Sequence, residues 1–231
     1  MIGILGGMGT QASLDFCNKL AMLNRGKIDQ KYPLFILYNK SNIPGRPENL
    51  HKYNKVLKSL YTGCLLLQKN NCKFIVIPCN TAHYWYDDLQ RKIKIPIVSM
   101  PKEVYLHVKK NCKKNSKIGI LATEATLKTR VYNKFFDKNF TLINPTKSLQ
   151  IKSVNIAIKY IKMGKIKDAA KVIKPAINYL IKLKCNKIIL GCTELPIAIF
   201  AFKSLKKAKQ SKIFIDPNLL LAEVSMKKYK K

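Results

Sequence analysis

The amino-acid sequence predicts an α/β fold of two similar lobes, each built on a parallel sheet, the two related by internal duplication. Three observations carry this. Met1–Gly6 reads MIGILG and Lys117–Ala122 reads KIGILA, with 116 positions between Ile2 and Ile118. Cys72–Thr81 reads CKFIVIPCNT and Cys185–Glu194 reads CNKIILGCTE, with 113 positions between Cys79 and Cys192. Around these phrases, runs rich in Ile, Val and Phe alternate with segments whose apolar residues recur at helical spacing, the pattern of βαβ units.

Taken in order, strands are expected near Ile2 to Leu5, Leu34 to Tyr38, Phe74 to Ile77 and Ile97 to Val98 in the first copy. The second copy offers Ile118 to Leu121, Leu142 to Ile143, Ile188 to Leu190 and Ile213 to Ile215. Helical rhythm covers Ser13 to Leu23, Asn49 to Gln68, Val154 to Met163 and Ala169 to Leu183. Pro96 and Pro101 bracket a short IVSM segment, the expected handover between lobes, and a last helix after Asp216-Pro217 is expected to cross back to the first. The expected domains are therefore residues 1–98 with 208–231, carrying Cys79, and residues 99–207, carrying Cys192. No low-complexity linker separates the halves, so a tight interface with a cleft is expected between them.

A chain of 231 residues, 47% hydrophobic, has material for two cores of about 100 residues each. Its longest apolar stretches, such as Phe74 to Pro78, fall far short of the roughly 20 residues of a bilayer span. The start MIGILGGMGT lacks a basic segment and turns into glycines, so it reads as a buried strand and not an export signal, and a cytoplasmic, membrane-free protein is expected. Seven cysteines, an odd number without an export signal, read as reduced thiols. No C-x2-C pair exists, and His51, His83 and His107 form no metal-ligand spacing, so no metal is expected.

The formal charge of +32 raises the question of a nucleic-acid partner, a standard reading of so basic a chain. Of the 44 cationic residues only Arg25, Arg46, Arg91 and Arg130 are arginines, whereas specific phosphate and base recognition favours arginine forks. The excess reads as solvated lysine faces, with no specific nucleic-acid partner, and as a field that draws in dianionic substrates at low salt.

In an open parallel sheet, ligands sit at the carboxyl ends of the strands. Cys79-Asn80-Thr81 and Cys192-Thr193-Glu194 each follow a strand and are expected to open a helix, a setting that lowers a thiol's pKa and offers amides to a carboxylate. Two equivalent acid/base groups are what inversion of a stereocentre requires. Cys17, Cys64, Cys72, Cys112 and Cys185 read as buried packing residues. The loop Gly6-Gly7-Met8-Gly9-Thr10 permits close backbone approach to a small anion but lacks the G-x-G-x-x-G dinucleotide spacing. His83, four residues past Cys79, has the spacing of a general base and reads as a packing or hydrogen-bonding residue.

GILGGMG near the start, PCNTAH around Cys79 and GCTELP around Cys192 together resemble the aspartate/glutamate racemase family across essentially the whole chain. Glutamate racemases usually carry histidine after the second Cys-Thr, so Glu194 points to the aspartate racemase branch. The resemblance implies two Rossmann-like lobes with the active site in the cleft between them, commonly in a homodimer. It also implies cofactor-independent chemistry on a small acidic amino acid, one cysteine removing the α-proton as thiolate and the other delivering a proton as thiol. By the same resemblance, Met8, Asn80, Thr81, Thr193, Arg46 and Lys162 bind the substrate, Arg46 from the IPGRPENL loop and Lys162 from IKMGK. Thr123 and Thr126 in LATEAT resemble a second anion-binding turn, with helix capping as the structural alternative. Glu194 is expected to meet the substrate ammonium or to help Cys192 change protonation state, a first-turn capping carboxylate being the alternative. Two departures stand out. Gly45 replaces the family's usual aspartate before the arginine, and Thr10-Gln11 replaces a proline and a glutamate. These leave room for another isomerase reaction of the same superfamily, on maleate or hydantoins, and the +32 charge for a polyanion-binding relative.

Overall fold

The computed structural model describes residues 1–23, 28–201 and 212–230, and in it eight strands form two four-stranded sheets with every neighbouring pair parallel. The first holds β1 (Ile2–Gly6), β2 (Phe35–Asn39), β3 (Phe74–Val76) and β4 (Ile97–Val98) in the order β2-β1-β3-β4. The second holds β5 (Ser116–Ala122), β6 (Phe140–Ile143), β7 (Lys187–Gly191) and β8 (Phe214–Ile215) in the order β6-β5-β7-β8. The two orders are the same permutation, so the sequence repeat is a repeat of topology. All eight expected strands are present, with ends shifted by one or two residues.

The chain divides into two compact units, Met1–Glu103 with Asn218–Lys231, and Val104–Pro217. The first boundary falls inside a helix. At the second, β8 pairs with β7, so the chain leaves the second unit only after that strand; the return expected near residue 208 lies outside the described residues.

In the first unit the helices are α1 (Thr10–Leu23), α2 (Tyr53–Lys69), α3 (Tyr86–Lys92), the start of α4 (Met100–Asn111) and, from the C-terminus, α11 (Pro217–Tyr229). Alternation along the strands splits their side chains between two cores. Leu5 and Ile75 join Val56, Leu60 and Leu67 of α2 and Trp85 on one face. Ile4 and Val76 join Phe16 and Leu20 of α1 and Leu221, Ala222 and Met226 of α11 on the other. Each large apolar side chain buried this fully contributes about 1.5–3 kcal/mol, and a sheet covered on both faces explains why its central strands read as unbroken apolar runs. The edge strand β4 is two residues long, and its outward groups are occupied: Ile97 N–H donates to Gln90 Oε1 at 2.7 Å and Tyr86 Oη donates to Ile97 O at 3.2 Å. That closes an edge which would otherwise template pairing.

The second unit carries α5 (Glu124–Lys128), α6 (Lys147–Leu149), α7 (Ile156–Lys162), α8 (Ile166–Val172), α9 (Lys174–Lys182) and α10 (Leu195–Ala201). The single helix expected over Ala169 to Leu183 is two helices. Pro175, in the first turn of α9, has no N–H for a helical bond and its ring crowds the carbonyl four residues earlier, so the helix restarts there. Between α6 and α7, Gln150–Asn155 is π-helical, a wide turn that apolar spacing does not announce. It brings Gln150 Nε2 to the Ala122 carbonyl at the end of β5 (2.9 Å) and to Asn155 Oδ1 (2.8 Å), and Asn155 Nδ2 to Glu124 Oε1 (2.8 Å). No helix among the described residues is long and apolar enough to cross a membrane.

Candidate active site

In the first unit, β1 and β3 are adjacent, so the loops leaving their carboxyl ends rise side by side. The β1 loop is shaped by Ser13: Gly7 N–H donates to its Oγ at 3.1 Å, and the Oγ donates to Gly9 O at 3.0 Å. Gly7 has φ of +88°, and a Cβ there would run into the Lys40 carbonyl; only glycine fits on both counts. Arg46, from the loop after β2, donates through Nη2 to Met8 O at 2.7 Å. This joins two of the expected substrate residues, and Arg46 Nε remains buried with no partner. Beside it, the space a side chain at Gly45 would fill is taken by the carboxylate of Glu48. The position where the family's aspartate is absent thus still has a carboxylate against it.

Cys79, Asn80 and Thr81 follow β3 and are 5%, 2% and 5% exposed. The expected helix begins as a 3-10 turn, Thr81–Trp85, that leads into α3. His83 lies in that turn and is fully engaged. Its Nδ1 is 2.9 Å from Cys79 O, and its Nε2 accepts from Met100 N–H at 3.1 Å. A carbonyl accepts only, so Nδ1 carries the proton and the ring is the neutral tautomer. Burial lowers its pKa further. His83 therefore ties the Cys79 loop to α4 and has no nitrogen to spare as a general base.

In the second unit, β5 and β7 are the corresponding neighbours. Cys192, Thr193 and Glu194 follow β7, are buried, and lead directly into α10. Cys192 Sγ donates to Glu194 Oε2 at 3.0 Å, and Thr193 Oγ1 donates to the same oxygen at 3.4 Å. The expected lowering of the thiol pKa is overturned here. Burial pushes the Cys192 thiol well above its ordinary range, and the charge and hydrogen bond of Glu194 push the same way. Lys162, at the exposed end of α7, acts on this thiol with the opposite sign, which puts it within electrostatic reach. Thr123 takes the capping role: its Oγ1 accepts from Thr126 N–H at 3.2 Å and lies 3.0 Å from Thr126 Oγ1.

Two residues that sequence pattern did not single out belong to this setting. Tyr132 is buried, and burial, Asp216 and Cys192, in that order, raise its pKa well above the usual phenol range. Asp216, just after β8, is also buried. The Asp-Pro pair at 216–217 was legible as a strand end; nothing in the spacing marked Tyr132. Of the remaining cysteines, burial raises Cys17 to about 11 and Cys64 to about 12 and lifts Cys72, Cys112 and Cys185, so none is an activated thiol. All seven are free.

A family model described as Asp/Glu/Hydantoin racemase matches residues 5–224. The broad specificity amino-acid racemase RacX of Bacillus subtilis is 27% identical over 202 residues, spanning 84% of this chain and 86% of that protein. A glutamate racemase of Sulfurihydrogenibium sp. is 30% identical over 180 residues, spanning 76% of this chain and 66% of that one. The solved structure of Picrophilus torridus aspartate racemase superposes with a TM-score of 0.84 at 29% identity, covering 100% of this chain and 94% of that one.

Proposed function

The chain belongs to the Asp/Glu/Hydantoin racemase family, and from that premise we propose that it is a cofactor-independent amino-acid racemase that interconverts L- and D-aspartate, with Cys79 and Cys192 as its two acid/base groups. Assignment as an isomerase of the racemase type rests on the family. The finer reading rests on one observation above the rest: the Cys192 thiol is held protonated by burial and by a 3.0 Å hydrogen bond to Glu194. Inversion at Cα needs one thiolate to take a proton and one thiol to give one, and these two roles must coexist at a single pH.

In this reading Cys192 rests as the acid and Cys79 acts as the thiolate. When Cys192 has given its proton, the direction reverses with the roles exchanged, and Glu194 Oε2 is the neighbouring acceptor through which the proton is held or returned. The substrate carboxylates fall to Arg46, Asn80, Thr81 and Thr193, with Lys162 as the second cation. An acid of aspartate's size is favoured by the 29%-identical aspartate racemase. A broader substrate range is the second reading, favoured by the relative named for it and by Gly45 with Glu48 in the binding loop.

The test is to incubate the protein with each enantiomer of aspartate, and separately of glutamate, in deuterated water and follow the α-proton by NMR. Exchange with inversion from both enantiomers of aspartate, lost by at least about 100-fold in Cys79→Ala and in Cys192→Ala, is the expected result. Inversion that survives either substitution would remove the two-thiol mechanism; absence of exchange from any acidic amino acid would remove the substrate class.

A further inference from the structure

Two features of the second unit have no part in the chemistry assigned so far: the π-helical segment Gln150–Asn155 and the buried amide that opens it. Gln150 is 7% exposed, and both hydrogens of its Nε2 are used, one on the Ala122 carbonyl at 2.9 Å and one on Asn155 Oδ1 at 2.8 Å. The polarity of this network is fixed at both ends by groups that only accept. The Glu124 carboxylate takes a hydrogen of the Asn155 amide at 2.8 Å, which turns Asn155 Oδ1 toward Gln150, and the Ala122 carbonyl takes the other end. A π-helical turn is uncommon and concentrates at functional sites; here it carries Gln150 to the end of β5.

That strand end lies beside Cys192. β6 pairs with β5 from Ser116 to Gly119; three residues further on, the Ala122 carbonyl is held by Gln150 in place of a strand. Toward β7, Ala122 is the register partner of Gly191, the residue immediately before Cys192. A Cβ at Gly191 would come within 3.0 Å of Ala122 Cβ, so the two strand ends pack with no space between them and a shift at Ala122 is passed to Gly191. Because the peptide is planar and trans, a carbonyl held by Gln150 also sets the Thr123 N–H on the opposite side, where the Thr123–Thr126 turn starts. By count of buried polar atoms Gln150 gains little: it satisfies Ala122 O and leaves its own Oε1 buried with no hydrogen-bond partner among the described residues. What it supplies is direction at the end of β5.

We infer that Gln150 is a positioning residue for Cys192: through Ala122 and Gly191 it fixes where the thiol stands, without itself touching the substrate. Its effect on catalysis rests on the proposed two-thiol reaction and has a signature there. With Cys192 out of line, the acid is misplaced and the Cys79 base is untouched. Cys79 still removes an α-proton and, after its thiol has exchanged with solvent deuterium, still returns a deuteron to the same face; delivery to the opposite face falters. Exchange then outruns inversion for the enantiomer whose α-proton meets Cys79, and for the other enantiomer both fall together. Loss of folded protein lowers all these rates alike.

The test is to follow α-proton exchange and inversion of each aspartate enantiomer in deuterated water with Gln150→Met, an apolar side chain of similar length, and with Ser153→Ala. Ser153, in the same π-helical segment, donates to Val172 O of α8, so its loss weakens the segment and leaves the Ala122 carbonyl held. Gln150→Met should lower inversion at least about tenfold from both enantiomers and raise the ratio of exchange to inversion at least about tenfold from one of them; Ser153→Ala should keep the native ratio. An unchanged ratio in Gln150→Met, or an equal rise in Ser153→Ala, would overturn the inference. Gln150→Glu keeps the shape of the side chain. Protonated, it still donates to Ala122 O; ionised, it faces acceptors only, so its ratio should climb with pH, and a flat ratio would also overturn the inference. Unfolding of both Gln150 variants would assign the residue to stability, with the same consequence. If the native protein exchanges no acidic amino acid, the proposed function fails by itself and the ultraviolet titration of Cys192, taken as the difference from Cys192→Ala in each background, decides for Gln150. The thiolate-to-thiol ratio should then rise at least about threefold in Gln150→Met as the Glu194 bond slackens, and stay in place in Ser153→Ala; an unmoved titration in Gln150→Met would overturn the positioning role.

Discussion

Glu194→Gln tests the electrostatic core of the proposed mechanism. In the native protein the Cys192 thiol donates to a carboxylate oxygen at 3.0 Å, with donor and acceptor residues 6% and 4% exposed. A hydrogen bond to a charged, buried acceptor contributes about 1.5–3 kcal/mol, and it stabilises the thiol alone. The neutral amide removes that charge while burial of the sulfur persists, so the direction is unambiguous: the thiol pKa falls but stays above its ordinary range. At any fixed pH in the titration the ratio of thiolate to thiol at Cys192 rises about ten- to 150-fold. The assay is the ultraviolet absorbance of the thiolate as pH is raised, taken as the difference between Glu194→Gln and Glu194→Gln/Cys192→Ala, against the same difference in the Glu194 background. In kinetics, the alkaline limb of kcat/KM moves to lower pH because Cys192 loses the proton it must deliver. Enantiomers have equal free energy, so the change must appear equally in both directions. A Cys192 titration that stays in place, or moves to higher pH, would refute the reasoning.

Three further substitutions probe the first unit. Ser13→Ala removes the hydroxyl that accepts from Gly7 and donates to Gly9 and should cost about 1–3 kcal/mol, read as a lower urea midpoint at constant m. Gly7→Ala combines a φ of +88° with a clash against Lys40 backbone and should cost about 2 kcal/mol or more in the same assay; a variant as stable as the native chain would mean that the loop has another conformation. Gly45→Asp sets a second carboxylate where Glu48 already lies. Its destabilisation should be relieved by Glu48→Gln with a coupling of at least about 0.5 kcal/mol in a double-mutant cycle, and strict additivity would show that the two side chains do not share that space.

The sequence by itself determined the architecture. Four apolar runs, written twice in the same order, became eight parallel strands in two sheets of one topology, because a parallel strand covered on both faces must be apolar along its length. It also placed both cysteine motifs and the glycine loop after strand ends, where the structure has them, while the meeting of Met8 and Arg46, 38 residues apart, through one hydrogen bond is a fact of the fold. Only the tertiary structure decided how each group behaves. The break before α9 comes from a proline inside a segment whose apolar rhythm runs on, and the π-helical turn at Gln150 from bonds that spacing does not encode. Burial and Glu194 set the state of Cys192 against the pull of its strand-end position, His83 is spent on two backbone groups, and Glu48 fills the space at Gly45. Strand and helix periodicity is local and can be read from neighbours in the chain. Protonation and occupancy depend on dielectric surroundings and on charges distant in sequence, which exist only once the chain has folded.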